Sequence, residues 1–205
     1  DLLNLINDIL DLSKVEAGKL QLEIDEVPLS KIVGSMSAMF TELANSKGIK
    51  FKIEADAALQ REILKTDRHR VEQIIRNLLS NAFKFTSPSG DVVLTISRTG
   101  DKPMLTFAVR DTGIGIPEDK QKLVFEAFQQ ADGSTKRRFG GTGLGLSISR
   151  ELAHALGGEI TLLSTEGKGS TFSLYIPIVF DPSQSTSQNK EIELRDVTAP
   201  RKPSI

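Results

Sequence analysis

Three polar residues, Asn77, Asn81 and Lys84, are separated by four and three positions within an otherwise apolar segment. In a helix this spacing puts all three on one face, beside the stripe that packs into the core. Magnesium takes oxygen ligands and keeps several waters while it bridges phosphates. A neutral amide oxygen on this face is then a sufficient protein ligand beside phosphate oxygens, and Lys84 would offset phosphate charge. A solvated helix side is the better interpretation if this segment stood alone.

Asp111 follows an alternating apolar segment and precedes two glycines, Gly113 and Gly115. A carboxylate only accepts hydrogen bonds, so it suits the exocyclic amino group of adenine, whereas guanine presents a carbonyl at that place. We expect Asp111 to select adenine and the glycines to allow close backbone approach. The alternative is an ordinary turn aspartate before glycines.

A glycine-rich segment precedes a helical apolar pattern in the last third of the chain. Helix N-terminal amides and the positive end of the helix dipole attract phosphate. The candidate nucleotide contacts here are Gly140, Gly141, Thr142, Gly143, Leu144, Gly145 and Leu146, with added positive charge from Lys136, Arg137 and Arg138. A flexible glycine loop beside a solvated basic loop is the competing interpretation.

In this order, residues 77–84, 111–115 and 140–146 resemble the N, G1 and G2 boxes of sensor histidine kinases. These boxes lie in the catalytic and ATP-binding domain of those kinases, which belongs to the wider family of Bergerat-fold ATPases. Residues 125–128 resemble the F box of that family. The similarity runs from about residue 1 to residue 180, and the spacing of four boxes is far more specific than a lone glycine pattern. The resemblance implies ATP and Mg²⁺ as cofactors. Together with the chemistry above, it makes Asn81 the candidate magnesium ligand and Asn77 a support for phosphate or water.

Residues 129–142 resemble the mobile ATP lid of the family, and Phe125 and Phe128 are expected to anchor it by packing. The family transfers the γ-phosphoryl group of ATP to a histidine on a dimerisation helix, and then to an aspartate of a receiver domain. The implied partners are the phosphoacceptor helix of the same or a partner chain and a response-regulator receiver domain, in a homodimeric parent.

Neither histidine of the chain has the family's phosphoacceptor context, in which an acidic residue follows and a proline lies a few residues on. His69 precedes Arg70 and His154 precedes Ala155. We expect both to be structural or surface residues and the phosphoacceptor to lie outside this sequence. The chain alone should bind MgATP without phosphorylating itself.

Hydrolytic relatives of the fold carry a catalytic glutamate where this chain has Asn77. An asparagine cannot act as a general base at neutral pH, which argues against fast ATP hydrolysis. Two alternatives stay open: a serine-directed kinase of the same fold, and a nucleotide-binding regulatory module or pseudokinase.

Three helices are predicted to position these residues. One spans residues 68–85 behind a capping Asp67, and one follows a capping Ser30, with Met36 and Met39 as core filling. The third covers residues 143–156.

Alternating apolar residues predict strands at residues 20–24, 49–53, 92–96, 105–109, 160–162 and 172–176. Gly167, Gly169, Ser170 and Thr171 form either a tight hairpin turn or a further glycine patch of the family. The pattern indicates an α/β (α+β) two-layer sandwich with a mixed, mainly antiparallel sheet and helices on one face, as in the Bergerat fold.

The predicted division has three parts. Residues 1–19 resemble the end of the second dimerisation helix, residues 20–180 form the catalytic ATP-binding domain, and residues 181–205 form a polar flexible linker or tail. Lys plus Arg is 26 and Asp plus Glu is 27, so the overall charge does not favour nucleic acid. No apolar run reaches the roughly 20 residues that cross a bilayer. We expect no direct membrane insertion and a cytoplasmic location, with a membrane-bound parent left open.

Overall fold

The computed structural model describes residues 19–99, 103–127 and 143–182, together with Ile6, Ile9, Leu10, Ser13, Lys14 and Ala17. Gln60 is described by its backbone alone. The expected dimerisation helix and polar tail fall almost wholly outside these residues, so both stay predictions. Within the described part of the chain, no helix combines the length and apolarity needed to cross a membrane.

The main sheet has five strands. In chain order the strands of the described residues are β1 (Asp25–Pro28), β2 (Lys50–Ala55), β3 (Ile63–Thr66), β4 (Asp91–Thr99), β5 (Met104–Asp111), β6 (Glu159–Thr165) and β7 (Gly169–Pro177). The spatial order of the main sheet is β2-β4-β5-β7-β6. Strand β2 runs parallel to β4 and the other neighbours are antiparallel, which confirms the mixed, mainly antiparallel sheet.

Three helices cover one face of this sheet: α1 (Leu29–Lys47), α2 (Arg68–Phe85) and α3 (Gly145–Ala155). Alternate strand residues such as Leu94, Phe107 and Leu174 are completely buried in the same core as the apolar stripes of the helices. Alternation along a strand sends every second side chain to one face, which explains why a single core forms. The predicted two-layer sandwich is confirmed.

A second, two-stranded sheet joins the two ends of the described domain. Strands β1 and β3 pair antiparallel. The chain returns after β7, where the Lys65 amide donates to the Ile178 carbonyl at 2.8 Å and the Phe180 amide donates to the Lys65 carbonyl at 2.8 Å. The segment before α1 and the segment after β7 are therefore both hydrogen-bonded to β3.

Asp67 caps α2 as predicted. Its carboxylate accepts the backbone N–H of Arg70 at 3.0 Å, and its second oxygen accepts the N–H of Glu23 at 2.9 Å. The same side chain thus starts the helix and holds the segment that leads into β1. Seven apolar residues along α2 are buried, as its stripe predicted.

Two predictions near the start of the domain are wrong. Residues 20–24 are irregular and the strand begins only at Asp25, because Leu20 and Leu22 pack against the core without a partner strand. Ser30 does not cap α1, which begins one residue earlier, after Pro28, with no side-chain cap. The first helical N–H, that of Leu29, donates to the Glu62 carbonyl at 2.9 Å, so this end of the helix is satisfied in part without a capping side chain.

Of the two methionines predicted to fill the core, only Met36 is buried. Met36 is 1% exposed and lies on the same side of α1 as Phe40 and Ala44, four residues apart in turn. Met39 is 46% exposed because it lies off that stripe. Strand β3 has no counterpart in the predictions, since four residues are too few to show a clear alternation.

Candidate functional site

Helix α2 carries Asn77, Asn81 and Lys84 on one side, all half-buried. The Lys84 ammonium lies 5.0 Å from the centre of the Phe85 ring. Partial burial lowers the pKa of Lys84, because desolvation disfavours its charged form. An anion placed beside this ammonium would favour the charged form that burial disfavours.

Asn77 is fixed by contacts with α3. Its side-chain amide donates to the Ser149 hydroxyl at 2.9 Å. A Cβ atom on Gly145 would overlap the Asn77 amide oxygen, so any larger residue here would force the Asn77 side chain to move. The prediction gave Asn77 a role toward phosphate or water, and the structure adds that its amide nitrogen already has a protein partner. Asn77 therefore fastens α2 to the first turns of α3.

Helix α3 begins beside these contacts. Gly143 has a φ of 72°, a left-handed conformation that favours glycine, and Leu144 after it is completely buried. The Ser147 hydroxyl donates to the Leu144 carbonyl at 2.8 Å. Leu146 is partly buried against the core. The first turn of α3, with its N-terminal amides and dipole, is thereby held next to the polar face of α2.

Asp111 lies at the end of β5 and is 7% exposed. Its carboxylate accepts the Gly113 N–H at 2.8 Å and a further backbone hydrogen bond from Ser170. Burial raises the pKa of Asp111, and these two backbone hydrogen bonds act in the opposite direction. The result is a fixed acceptor in a nearly dry position.

The glycines around Asp111 are sites of close backbone contact. A Cβ on Gly113 would overlap the Phe85 carbonyl at the end of α2, and a Cβ on Gly115 would overlap the Thr165 carbonyl. Gly169 packs in the same way against the backbone of Asp111. These glycines thus allow close approach between backbone segments, and the patch at 167–171 contains the β6–β7 hairpin turn, which packs against Asp111. A role of this patch toward the nucleotide stays a prediction.

A sequence model of the family described as "Histidine kinase-, DNA gyrase B-, and HSP90-like ATPase" matches residues 66–179, more than half of the chain. The matched region contains α2, the Asp111 loop, the start of α3 and the hairpin turn. The chain belongs to this ATPase family. It carries the ATP-binding catalytic domain of a histidine kinase.

Curated relatives of this kinase domain are sensor kinases. It is 45% identical over 176 residues to the circadian input-output histidine kinase CikA of Synechococcus elongatus, covering 86% of this chain and 23% of CikA. It is 40% identical over 185 residues to the signal transduction histidine-protein kinase BarA of Escherichia coli, covering 89% of this chain and 20% of BarA. The chain thus spans about a fifth to a quarter of the length of these two curated relatives.

Solved structures of histidine kinases have the same fold as this domain. Full-length ShkA, in a complex with AMPPNP, superposes with a TM-score of 0.75 at 32% identity, over 86% of this chain and 35% of that one. The catalytic domain of histidine kinase ThkA gives a TM-score of 0.67 at 27% identity, over 80% of this chain and 99% of that one.

The kinase domain offers magnesium few ligands of its own. Within the described ranges, no group of three or more His, Cys, Asp or Glu side chains could hold a metal. The half-buried Asn81 on α2 supplies one neutral amide oxygen, which fits an ion that takes its other oxygens from phosphates and water.

The remaining predicted residues divide into two groups. Phe125 packs as expected, with its ring 6.1 Å from the Phe172 ring and the Arg150 guanidinium 5.9 Å from its centre. The others lie outside the described residues: Phe128, Lys136, Arg137, Arg138, Gly140, Gly141 and Thr142.

The predictions missed Ser149 and Arg150, which meet Asn77 and Phe125. Ser149 carried a usable signal, since it is a polar residue four positions after Gly145 and therefore on the same side of α3.

Proposed function

We propose that this domain donates the γ-phosphoryl group of MgATP to a histidine on a dimerisation helix, for relay to a response-regulator aspartate. The observation that carries the proposal is the contact of α2 with both other parts of the site. Asn77 meets α3, and Phe85 meets the Asp111 loop. The eight residue steps between them span roughly 12 Å of helix, enough to separate a base from its phosphates.

Each group has a task in this proposal. Asp111 accepts a hydrogen bond from the adenine amino group. Lys84 and the first turn of α3 hold the phosphate chain, and Asn81 presents its amide oxygen to the metal. Mg²⁺, when bound, neutralises phosphate charge. Arg137 and Arg138 would add charge to the phosphates. Positioning and charge neutralisation supply most of the catalysis in phosphoryl transfer.

The transfer itself breaks the bond between the γ-phosphorus and the bridging oxygen and forms a bond between that phosphorus and an imidazole nitrogen. ADP leaves, and the imidazole proton passes to solvent or a nearby base. Asn77 has no basic group to activate water, and its amide donates to Ser149. Slow ATP hydrolysis is therefore part of the proposal.

The partners follow from the reaction. A phosphoacceptor helix, from the same or a partner chain of a homodimeric parent, must reach the γ-phosphate, and a receiver domain must take the phosphoryl group from it. A solved complex of histidine kinase ThkA with the response regulator protein TrrA has the same fold in its kinase. A cytoplasmic location, where ATP is available, completes the proposal.

The test is phosphate transfer from labelled ATP within a natural polypeptide extended upstream to include the dimerisation hairpin. Acid-labile, alkali-stable label on a histidine is the expected result, and it should be lost in Asn81→Ala. Nucleotide binding without transfer would instead favour a regulatory module, and acid-stable label would favour a serine-directed kinase. Fast release of free phosphate would contradict the role given to Asn77.

A further inference from the structure

The Ser164 hydroxyl, near the end of β6, connects three parts of the Asp111 region. It accepts the Ile116 N–H at 2.8 Å, donates to the Gly169 carbonyl at 3.1 Å and lies 2.9 Å from the Ser170 hydroxyl. A hydroxyl has one proton and two lone pairs. Because the proton goes to Gly169, Ser170 must donate to Ser164, and the full hydrogen-bonding capacity of Ser164 is used.

Gln121 closes the same contact from the other side. Its side-chain amide nitrogen donates to the Ile116 carbonyl and to the Ser164 carbonyl, both at 3.0 Å. The two amide hydrogens are thus both engaged. The N–H of Ile116 is therefore held by the Ser164 hydroxyl, and its carbonyl is held by the Gln121 amide.

A backbone hydrogen bond completes the contact, since the Gly167 amide donates to the Ile114 carbonyl at 2.7 Å. We name the contact between residues 114–121 and residues 164–170 the loop clasp. It holds the segment after Asp111 against the hairpin turn through side chains of two residues, Ser164 and Gln121.

The loop clasp reaches the Asp111 carboxylate by two short routes. Ser170 donates its hydroxyl to Ser164, and its backbone hydrogen-bonds the Asp111 carboxylate. Gly113, whose N–H donates to the same carboxylate, directly precedes the segment that the clasp holds. None of these hydrogen bonds involves the polar face of α2 or the first turn of α3.

We infer that Ser164 and Gln121 are positioning residues that set the affinity for the adenosine part of the nucleotide. This rests on the proposed function only in that the nucleotide places its base at Asp111. Because the clasp acts on the base and not on the phosphates, its loss should weaken adenosine, ADP and ATP by the same factor.

Gln121→Glu is the sharpest variant, because it turns a donor of two hydrogen bonds into a carboxylate that faces two carbonyl oxygens. Calorimetry should show the Kd of all three ligands raised about tenfold. Gln121→Met, which keeps the length but not the donors, should raise each Kd about threefold, and it serves if the glutamate variant does not fold.

Ser164→Ala should act like Gln121→Met, and Ser164→Thr, which keeps the hydroxyl, should restore affinity. Ser173→Ala is the matched control, since this serine lies on β7 outside the loop clasp. Lys84→Ala gives the opposite pattern, with a larger loss for ATP than for adenosine.

Unchanged affinities in folded Gln121 and Ser164 variants, or a loss confined to ATP, would overturn the positioning role while leaving the kinase proposal intact. Wild-type protein that bound none of the three ligands would overturn the proposed function and this role together.

Discussion

The two ends of the site are held by different kinds of contact. At the end that we assign to the base, Asp111 is held by backbone amides and surrounded by glycines that touch neighbouring carbonyls. At the end that we assign to the phosphates, helix side chains supply the polar groups, and Asn77 is held by a serine of another helix. Backbone contacts leave little freedom, whereas helix side chains can change rotamer without moving the sheet.

In the proposed function, selectivity for the base and transfer of the phosphoryl group therefore belong to two ends of the site that are built differently. The base end would be a fixed template in which the Asp111 carboxylate accepts a hydrogen bond from the adenine amino group. The phosphate end would use charged and amide side chains of helices. The predictions below ask whether the two ends respond differently, beginning with the largest expected effect.

Asp111→Asn should lower ATP affinity by about 3 kcal/mol, or roughly 100-fold, and leave the fold intact. The Gly113 amide would keep the asparagine oxygen as its acceptor, so the NH₂ group would take the other position and face the adenine amino group. Calorimetry gives the affinity and circular dichroism the fold. Unchanged affinity would count decisively against the base assignment.

The same carboxyl predicts a pH dependence. Its raised pKa means that the folded, ligand-free protein holds a proton at a pH where the unfolded chain has lost it, so the ionised form costs folding free energy above that pKa. ADP affinity should fall as pH drops from neutral through the raised pKa, because a protonated carboxyl loses acceptor capacity. In Asp111→Asn this part of the pH dependence should be absent.

Gly115→Ala should lower the free energy of unfolding by about 3 kcal/mol, because its φ is 67° and a Cβ would overlap the Thr165 carbonyl. Gly167→Ala is the matched control: its φ is 76°, but nothing lies within 4 Å of a Cβ there. This control should lose only about 1 kcal/mol. Equal losses in denaturant titrations would show that backbone contact is not what makes the base end rigid.

Ser149→Ala should have the smallest effect, at about 1 kcal/mol of unfolding free energy and roughly a threefold rise in the Kd of ATP. It removes the acceptor of Asn77 while the helices stay packed. Ser80→Ala, at an exposed position on α2, should change neither quantity. If the two variants behaved alike, the contact between Asn77 and Ser149 would have no part in holding the phosphate end.

The sequence was a good guide where the determinants are local. The cap at Asp67, the stripe of α2 and the close contacts at Gly113 and Gly115 depend on spacing and residue type, and the structure has all of them. The fold class also followed, because alternation and hairpin turns are visible along the chain.

Long-range pairing could not be predicted in the same way. The partner of Asn77 is 72 residues away, and that of Ile116 is 48 residues away. Residues 20–24 alternate like a strand but pair with no strand, whereas β3 is too short to show a pattern and still pairs with β1. In each case the deciding contact comes from a segment that the local pattern does not contain.

The small sheet of β1, β3 and residues 178–180 has a mechanical consequence. Asp25 pairs with Thr66, and Val179 runs parallel to β3 beside Lys65, so the chain arrives and departs at the same end of this sheet. A force that pulls the two flanking segments apart would load its hydrogen bonds one after another, like a zipper, and not all together in shear. The small sheet would therefore open first. The five-stranded sheet that holds Asp111 would bear no tension until the small sheet had opened.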